Sequence, residues 1–286
     1  MIRSDGFAQI TAAATVPEQI VPYVKAVSDS RPLMARSCIA YQSGTELVLV
    51  GYPLGDPTDE KAMVEAVDEA LLVPWLSRIT VMGPALPPQA PAAISHSKDS
   101  YSFIQVPPPP PGQKLRNMLR RAGRELTVEK GRIWEAEHAG LVRKYLETRT
   151  YDPGTVHIFN NIPAYLTMSY GSLVFSARKR DGTLAAVAVG EFGTLETAFF
   201  MFCFRDQAVA PPGSTDLLLL ALLDEAAERG HARMNLGLGI NEGVRFFKRK
   251  WGEGMELPYF QASWDIIQAG LFSRLKNFFE KRKDDR

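Results

Sequence analysis

Hydrophobic and polar positions change their period several times along this chain, and each change marks an element. Up to Pro32 the pattern is weak and is broken by Pro17, Pro22 and Pro32, with one helix predicted over 18–28. Alternation then predicts strands over 36–41 and 46–52, joined by the turn Gln42-Ser43-Gly44-Thr45. Ala62, Val64, Ala66, Val67, Ala70 and Leu71 recur at helical spacing within 59–75, and 78–82 reads as a further strand. A small β-β-α-β unit results. A strand over 100–106 is stopped by the five prolines Pro107 to Pro111, read as a polyproline II spacer that fixes where the next helix starts.

From Gly112 the pattern becomes regular. It predicts a helix over 114–125, a strand over 126–130, a helix over 135–149 and a short helix over 163–170. Three strands follow in series over 173–178, 184–191 and 197–204, the first two joined through the hairpin signal Asp181-Gly182. A loop over 205–214 leads to a helix over 216–229, which Gly230 ends. Strand 232–238, helix 242–251 and strand 258–263 complete the order. The expected class is α/β (α+β), a mixed and mainly antiparallel sheet flanked by helices. The expected domains are 1–99, 100–263 and a C-terminal amphipathic basic helix over 264–286.

Composition narrows the classes. The 286 residues, 45% hydrophobic and 23% charged, supply a core for one large or two modest domains. A formal net charge of +1 excludes a globally basic nucleic-acid binder, though not a local basic patch. Cys38 and Cys203 are far apart and the four histidines are scattered, so no metal site is expected. The opening MIRSDGFAQI lacks the apolar core of a signal peptide. The longest apolar run, Leu217 to Leu223, is too short to span a bilayer. A soluble, cytoplasmic protein is the reading.

Two segments carry more than periodicity. One is Lys114-Leu-Arg-Asn-Met-Leu-Arg-Arg-Ala-Gly-Arg124. The other is Gly230-His-Ala-Arg-Met-Asn-Leu-Gly237, running on to Gly243-Val-Arg-Phe-Phe-Lys-Arg-Lys-Trp-Gly252. The element order resembles the GNAT acyltransferase fold. The second segment is similar to the ending of Fem-type peptidyltransferases and to the C-terminal domain of phosphatidylglycerol lysyltransferases. The turn Gly51-Tyr-Pro-Leu-Gly-Asp-Pro57 resembles a Gly-Asp-Pro stretch of the lysyltransferase branch, with its order altered. The resemblance covers residues 36 to 262. It implies a degenerate first GNAT-like unit packed on a complete second one, and transfer of an acyl or aminoacyl group. It also departs from the usual pattern. A standard acetyl-CoA binder has a glycine-rich loop before its main helix, whereas Pro211 and Pro212 here have no N–H to give a pyrophosphate. Gly213, Ser214 and Thr215 remain as donors, with Arg205 as a nearby cation, for coenzyme A or another acyl-pantetheine donor. Thr215 or Ser214 would equally serve as a plain N-cap, and Asp216 would repel a phosphate.

Other candidates come from helical spacing. Arg116, Arg120 and Arg124 form one stripe, suited to phosphates of a substrate or to plain solvation. Counted at about 100° per residue, Lys248 lies on the apolar face of its helix beside Val244, Phe247 and Trp251, while Arg245, Arg249 and Lys250 point elsewhere. Lys248 can aim its charge into a cleft and stabilise an oxyanion, or cover apolar surface with its stem. Glu191 and Tyr259 lead the acid–base candidates, with Glu196 and Tyr170 behind them; a solvated strand end and a core aromatic are their alternatives. No Ser-His-Asp or Cys-His arrangement stands out, so direct attack is expected. Trp264, Ile267, Leu271, Leu275, Phe278 and Phe279 recur at helical spacing among basic residues, a pattern for peripheral membrane contact or for docking on protein.

The leading reading is an N-acyltransferase moving an acyl group from coenzyme A or an acyl carrier protein to a small-molecule amine. Near-zero net charge and the lack of a tRNA-binding extension favour it. The alternative is an aminoacyl transferase using charged tRNA, favoured by the weak pyrophosphate loop and the arginine stripe. A third is a GNAT-fold binding module without activity, favoured by the lack of a clear base. All require a slot beside the helix that starts at Asp216. Lys248→Ala is expected to abolish transfer with little loss of stability.

Overall fold

The computed structural model describes residues 4–92, 94–252 and 254–266. Its first elements are α1 (Ser4–Ala12), a 3-10 turn (Pro17–Gln19), α2 (Val21–Val27), β1 (Arg31–Ala35), β2 (Cys38–Ser43), β3 (Glu46–Val50), α3 (Glu60–Leu71) and β4 (Arg78–Gly83). Then come β5 (His96–Gln105), α4 (Gln113–Glu125), β6 (Leu126–Gly131), α5 (Ala136–Leu146), α6 (Pro153–Asn160), α7 (Ile162–Met168), β7 (Ser172–Lys179), β8 (Leu184–Glu191) and β9 (Thr197–Arg205). The last are α8 (Ser214–Glu228), β10 (Arg233–Leu238), α9 (Glu242–Arg249) and β11 (Glu256–Asp265). Among the described residues no helix is long and apolar enough to cross a membrane.

The chain divides into two units. Unit 1 takes Ser30–Asp99 and the return from Pro258, and its strands lie in the order β1-β2-β3-β4-β11. β1, β2 and β3 form an antiparallel meander, β4 runs parallel to β3, and β11 runs antiparallel to β4. Asp59 caps α3 by accepting from the Ala62 N–H at 2.9 Å, and Ala66 and Val67 pack on Leu49, Ile79 and Trp264. The strand expected over 36–41 is β2, beginning at Cys38, and β1 before it was not expected. Arg36 sits in the turn between β1 and β2 with φ of +51°. Trp264, expected to open an amphipathic helix, is buried in β11, which runs to Asp265; residues 267–286 of that segment lie outside the described residues.

Unit 2 takes Ser4–Asp29 and Ser100–Leu257, so the unit boundaries differ from the expected ones at both ends of the chain. Its strands lie in the order β5-β10-β9-β8-β7-β6. β6 to β9 are antiparallel neighbours, β10 runs parallel to β9, and β5 antiparallel to β10. Both faces of this sheet are covered, which is why the sequence of β8 reads apolar almost throughout. Ala186 and Ala188 point to a core with α8 and α4, Val187 and Val189 to one with α5, α7 and the α2 region. Leu218, Leu219, Leu222 and Leu223 of α8 are wholly buried on the sheet, each side chain contributing about 1.5–3 kcal/mol by leaving water. Two helices escaped the pattern reading, α1 and α6. The second has an evident start: Asp152 accepts from the Thr155 N–H at 2.9 Å, and Pro153 stands at the first helical position.

Candidate functional site

The pairing of β10 with β9 runs through Arg233–Thr197, Met234–Ala198 and Asn235–Phe199 and goes no further. Its end has a local cause. β10 bulges against β5 between Asn235 and Leu238, and Gly237 takes φ of +80°, a conformation open to glycine. Asn235, almost fully buried, holds the bulge: its Oδ1 accepts from the Gly237 N–H at 2.7 Å and its Nδ2 donates to the Thr15 carbonyl at 2.9 Å. Past this point Phe200–Cys203 with Arg205, and Leu236–Leu238, form opposite walls of a cavity of about 640 Å³. The opening therefore separates two parallel strands.

Lys248 lines this cleft and is 6% exposed. Its Nζ donates to the carbonyls of Gly237 and Leu238, at 2.5 and 2.8 Å, so the lysine also clamps the bulge. Replacing it by alanine strands two carbonyls and costs about 1–3 kcal/mol, which corrects the expectation of an undisturbed fold. Gly213, Thr215 and Arg205 line the same cleft, and Arg205 makes no ion pair among the described residues. Gly213, at φ of +91°, occupies the N-cap position of α8. A Cβ there would stand 3.0 Å from the Met118 carbonyl oxygen, so α4 packs closely on this corner.

Ser214 does not belong to the lining. It is wholly buried, and both its N–H and its hydroxyl donate to the Pro211 carbonyl, at 3.2 and 2.5 Å. It is neither the N-cap nor a free donor. Asp216, expected to repel an anion, is 2% exposed and already matched. It accepts from Lys250 Nζ at 2.7 Å and from Trp251 Nε1 at 3.1 Å. Lys250 thus turns into the cleft, with its ammonium 4.9 Å from the Phe247 ring centre, and Phe247 stacks on Phe200 at 6.2 Å. The helical count had sent Lys250 elsewhere; its backbone stays helical, with φ of −60° and ψ of −27°, and its long flexible side chain carries the ammonium to Asp216.

The acid–base candidates separate from this cleft. Glu191 is wholly buried and accepts from Tyr165 Oη at 2.6 Å, Ser169 Oγ at 2.5 Å and the Gly193 N–H at 2.8 Å. It is a structural anchor, not a solvated strand end, and it is not among the cleft residues. Burial, then the charge of Glu191, drives the Tyr165 phenol well above its ordinary range. Tyr259 lies in unit 1, where its hydroxyl bonds Gln261. Tyr170 is exposed, and Glu196 pairs with Arg233 at 3.6 Å. Arg116, Arg120 and Arg124 are exposed on α4; Arg116 donates to Gln113 at 2.8 Å and Arg120 to Asn117 at 3.5 Å. Their helix meets the cleft through Met118.

Cys203 and Tyr145 line the cleft and were not foreseen as site residues. Burial pushes the Cys203 thiol up to about 12, against the opposing hydrogen bond of Thr215 and the charge of Arg205, so it is no thiolate at neutral pH. Glu135, Glu137 and His138 bring potential metal ligands within 4.8 Å of one another. Arg178 binds both carboxylates, and His138 Nδ1 accepts the Glu135 N–H at 2.9 Å, which makes the group an internal clamp.

An opened parallel strand pair, a helix starting beside it and a covered, mainly antiparallel sheet define the class: the fold is GNAT-like. Solved structures agree. The C-terminal domain of an assigned lysylphosphatidylglycerol synthetase from Agrobacterium fabrum matches over 89% of both chains, at 18% identity and a TM-score of 0.59. L-PGS from Bacillus licheniformis matches over 91% of both chains, at 14% identity and 0.61. FemX matches over 93% of this chain and 96% of its own, at 10% identity and 0.63. These likenesses establish the fold. No family model matches the sequence, and no curated protein does.

Proposed function

We propose that unit 2 transfers an acyl or aminoacyl group onto an amine, with the reacting arm of the donor laid between β9 and β10. The opened strand pair carries this reading. Backbone groups released from pairing after Asn235 and Phe199 can hold an extended arm as an added strand. The arm would lead the donor carbonyl toward Lys248. The amine nitrogen attacks that carbonyl carbon, the bond to the leaving oxygen or sulfur breaks, and the amine proton ends on the leaving atom. The Lys248 charge favours the oxyanion that forms on the way. A protonated Cys203 supports direct attack over an acyl-enzyme.

The loop before α8 favours one donor class. Pro211 and Pro212 have no N–H, and Ser214 gives its own to Pro211, so a diphosphate finds a poor cradle. An aminoacyl ester on tRNA needs no cradle there, and the arginine face of α4, joined to the cleft by Met118, suits its phosphates. The unpaired Arg205 keeps a second reading open: acyl-pantetheine on a carrier protein, which presents a single phosphate. Supplying radiolabelled aminoacyl-tRNA, acyl-carrier protein and acyl-CoA to the purified chain with an amine mixture tests both. Amide formed from aminoacyl-tRNA supports the first reading. Product from the acyl-carrier protein replaces it with the second. Product from acyl-CoA overturns the argument from the loop, and no product from any donor reduces the chain to a binding module.

A further inference from the structure

The cleft between β9 and β10 runs through the sheet from one face to the other. Phe200 and Cys203 pack with the core under α8, whereas Met201 and Phe202 pack with the core under α5, yet all four line the cleft. A bulge in β9 makes this possible. β8 pairs Val189 with Phe202 and Gly190 with Phe200, which leaves Met201 as an extra residue. Strict alternation would send Met201 and Phe202 to opposite faces; the bulge turns both to the α5 face. Tyr145 of α5 completes this second mouth, with its ring 5.2 Å from that of Phe204. Phe159 backs it, 6.1 Å from Phe202.

The two mouths differ in chemistry. On the α8 face stand Asp216, held by Lys250 at 2.7 Å, and Arg205, two residues after Cys203 on β9. The α5 mouth has only a phenol, a thioether and a phenyl ring from Tyr145, Met201 and Phe202 among the described lining residues. The acids next in the chain to the lining are taken: Asp206 accepts from Lys144 at 3.0 Å, and Glu242 binds Arg249. A cationic group laid in this mouth would lose water without gaining a carboxylate from its walls, whereas an apolar group gains from the same burial. A donor whose phosphates meet α4 or Arg205 enters from the α8 face, so its acyl end passes Lys248 toward the α5 face. We infer that the mouth formed by Tyr145, Met201 and Phe202 holds the side chain of the transferred group, and that this side chain is bulky, neutral and apolar. This rests on the transfer reading above and names the class of group transferred.

Titration calorimetry with hydrolysis-stable donor analogues tests the mouth without turnover. Two series are used, amides of an aminodeoxyadenosine and of amino-pantetheine, each carrying a phenylalanyl, a lysyl or a glycyl group. In one series the phenylalanyl analogue is expected to bind at least about tenfold more tightly than the other two, and that series names the donor. Met201→Ala is expected to weaken phenylalanyl binding about tenfold and to leave glycyl binding unchanged. Met201→Asp is expected to reverse the order in favour of the lysyl analogue, and Tyr145→Ala repeats the alanine test from α5 should the β9 variants fold poorly. A lysyl or glycyl analogue that matches the phenylalanyl one on the wild-type chain overturns the apolar mouth and leaves the transfer reading standing. No binding in either series removes the donor cleft, and both readings fall. In transfer assays Met201→Ala should lower kcat/KM for the phenylalanyl donor about tenfold with the acceptor KM unchanged. A shift in the acceptor KM alone gives the mouth to the acceptor and overturns the inference. Binding as expected, with no transfer from any donor, overturns the transfer reading and with it the claim that the bound group is transferred.

Discussion

Unit 2 buries Glu191 and Asp216 in opposite ways. Glu191 is surrounded by neutral donors, two hydroxyls and one backbone N–H, in a corner where Gly171 and Gly193 touch. Asp216 meets a lysine ammonium and an indole N–H, in a corner that opens onto the cleft between β9 and β10. The first arrangement saturates its carboxylate within a sealed pocket and leaves nothing to offer a ligand. The second holds a cation in place at the mouth of a cleft, with its charge still facing open space. Burial of an acid therefore does not mark a site by itself. What its partners leave exposed does.

The sealed corner should be the more fragile to a change in volume. A Cβ on Gly171 would fall 1.9 Å from Glu191 Oε1 and 2.2 Å from the Gly193 nitrogen, one of them rigid backbone. Gly171→Ala is expected to lose about 4 kcal/mol or more, the range of severe core changes, read as a shift in the urea midpoint. A loss under about 1 kcal/mol would show that the corner yields, and the contrast with the Asp216 corner would lose its basis.

The open corner should respond in rate more than in stability. Lys248→Ala is expected to lower transfer about 10²–10³-fold, the effect of removing one oxyanion donor, with about 1–3 kcal/mol of stability lost through the two stranded carbonyls. Retention of both values would remove Lys248 from the chemistry and from the bulge. Asp216→Asn should cost less, about 1–2 kcal/mol, because the amide keeps an acceptor for Trp251 but gives up the charge beside Lys250, whose side chain is 20% exposed. Its diagnostic is a larger change in donor KM than in stability. The reverse would make the pair a structural tie like Glu191.

This contrast was only partly legible in the sequence. The order from α4 to β11 follows from period changes and turn residues, because each element is long enough to show its own repeat. Gly213 and Lys248 were found through local signals, a Pro-Pro-Gly turn and an apolar helix face. Glu191 was not. Its donors Tyr165 and Ser169 stand 26 and 22 residues away, so the alternation of β8 alone cannot tell a solvated end from a sealed one. Lys250 was lost for a different reason: its backbone stays helical, and the flexible lysine stem carries its ammonium away from the direction that a count of Cα positions assigns. The signal lay beside it: Trp251 needs a partner for its indole N–H when buried, and Asp216 supplies it. α6 announced itself through Asp152-Pro153, although its residues carry no apolar stripe that reaches the fully buried core.

Cys203 gives the smallest effect and the finest discrimination between the corners. It faces the open cleft, as a nucleophile would, yet burial holds its thiol near 12 rather than its ordinary 9.0. A raised thiol favours the protonated folded state, so the stability this group contributes is complete below pH 9.0 and declines as pH rises toward about 12. Iodoacetamide should therefore modify Cys203 about 10³-fold more slowly than an ordinary thiol at neutral pH, with the rate rising about tenfold per pH unit toward pH 12. Cys203→Ser is expected to leave transfer within about threefold, far less than the change for loss of a covalent nucleophile. Rapid alkylation near neutrality, joined to a large loss of transfer in the serine variant, would mean that the cleft activates this thiol. Direct attack would then give way to an acyl-enzyme, and the open corner would hold a nucleophile that its geometry argues against.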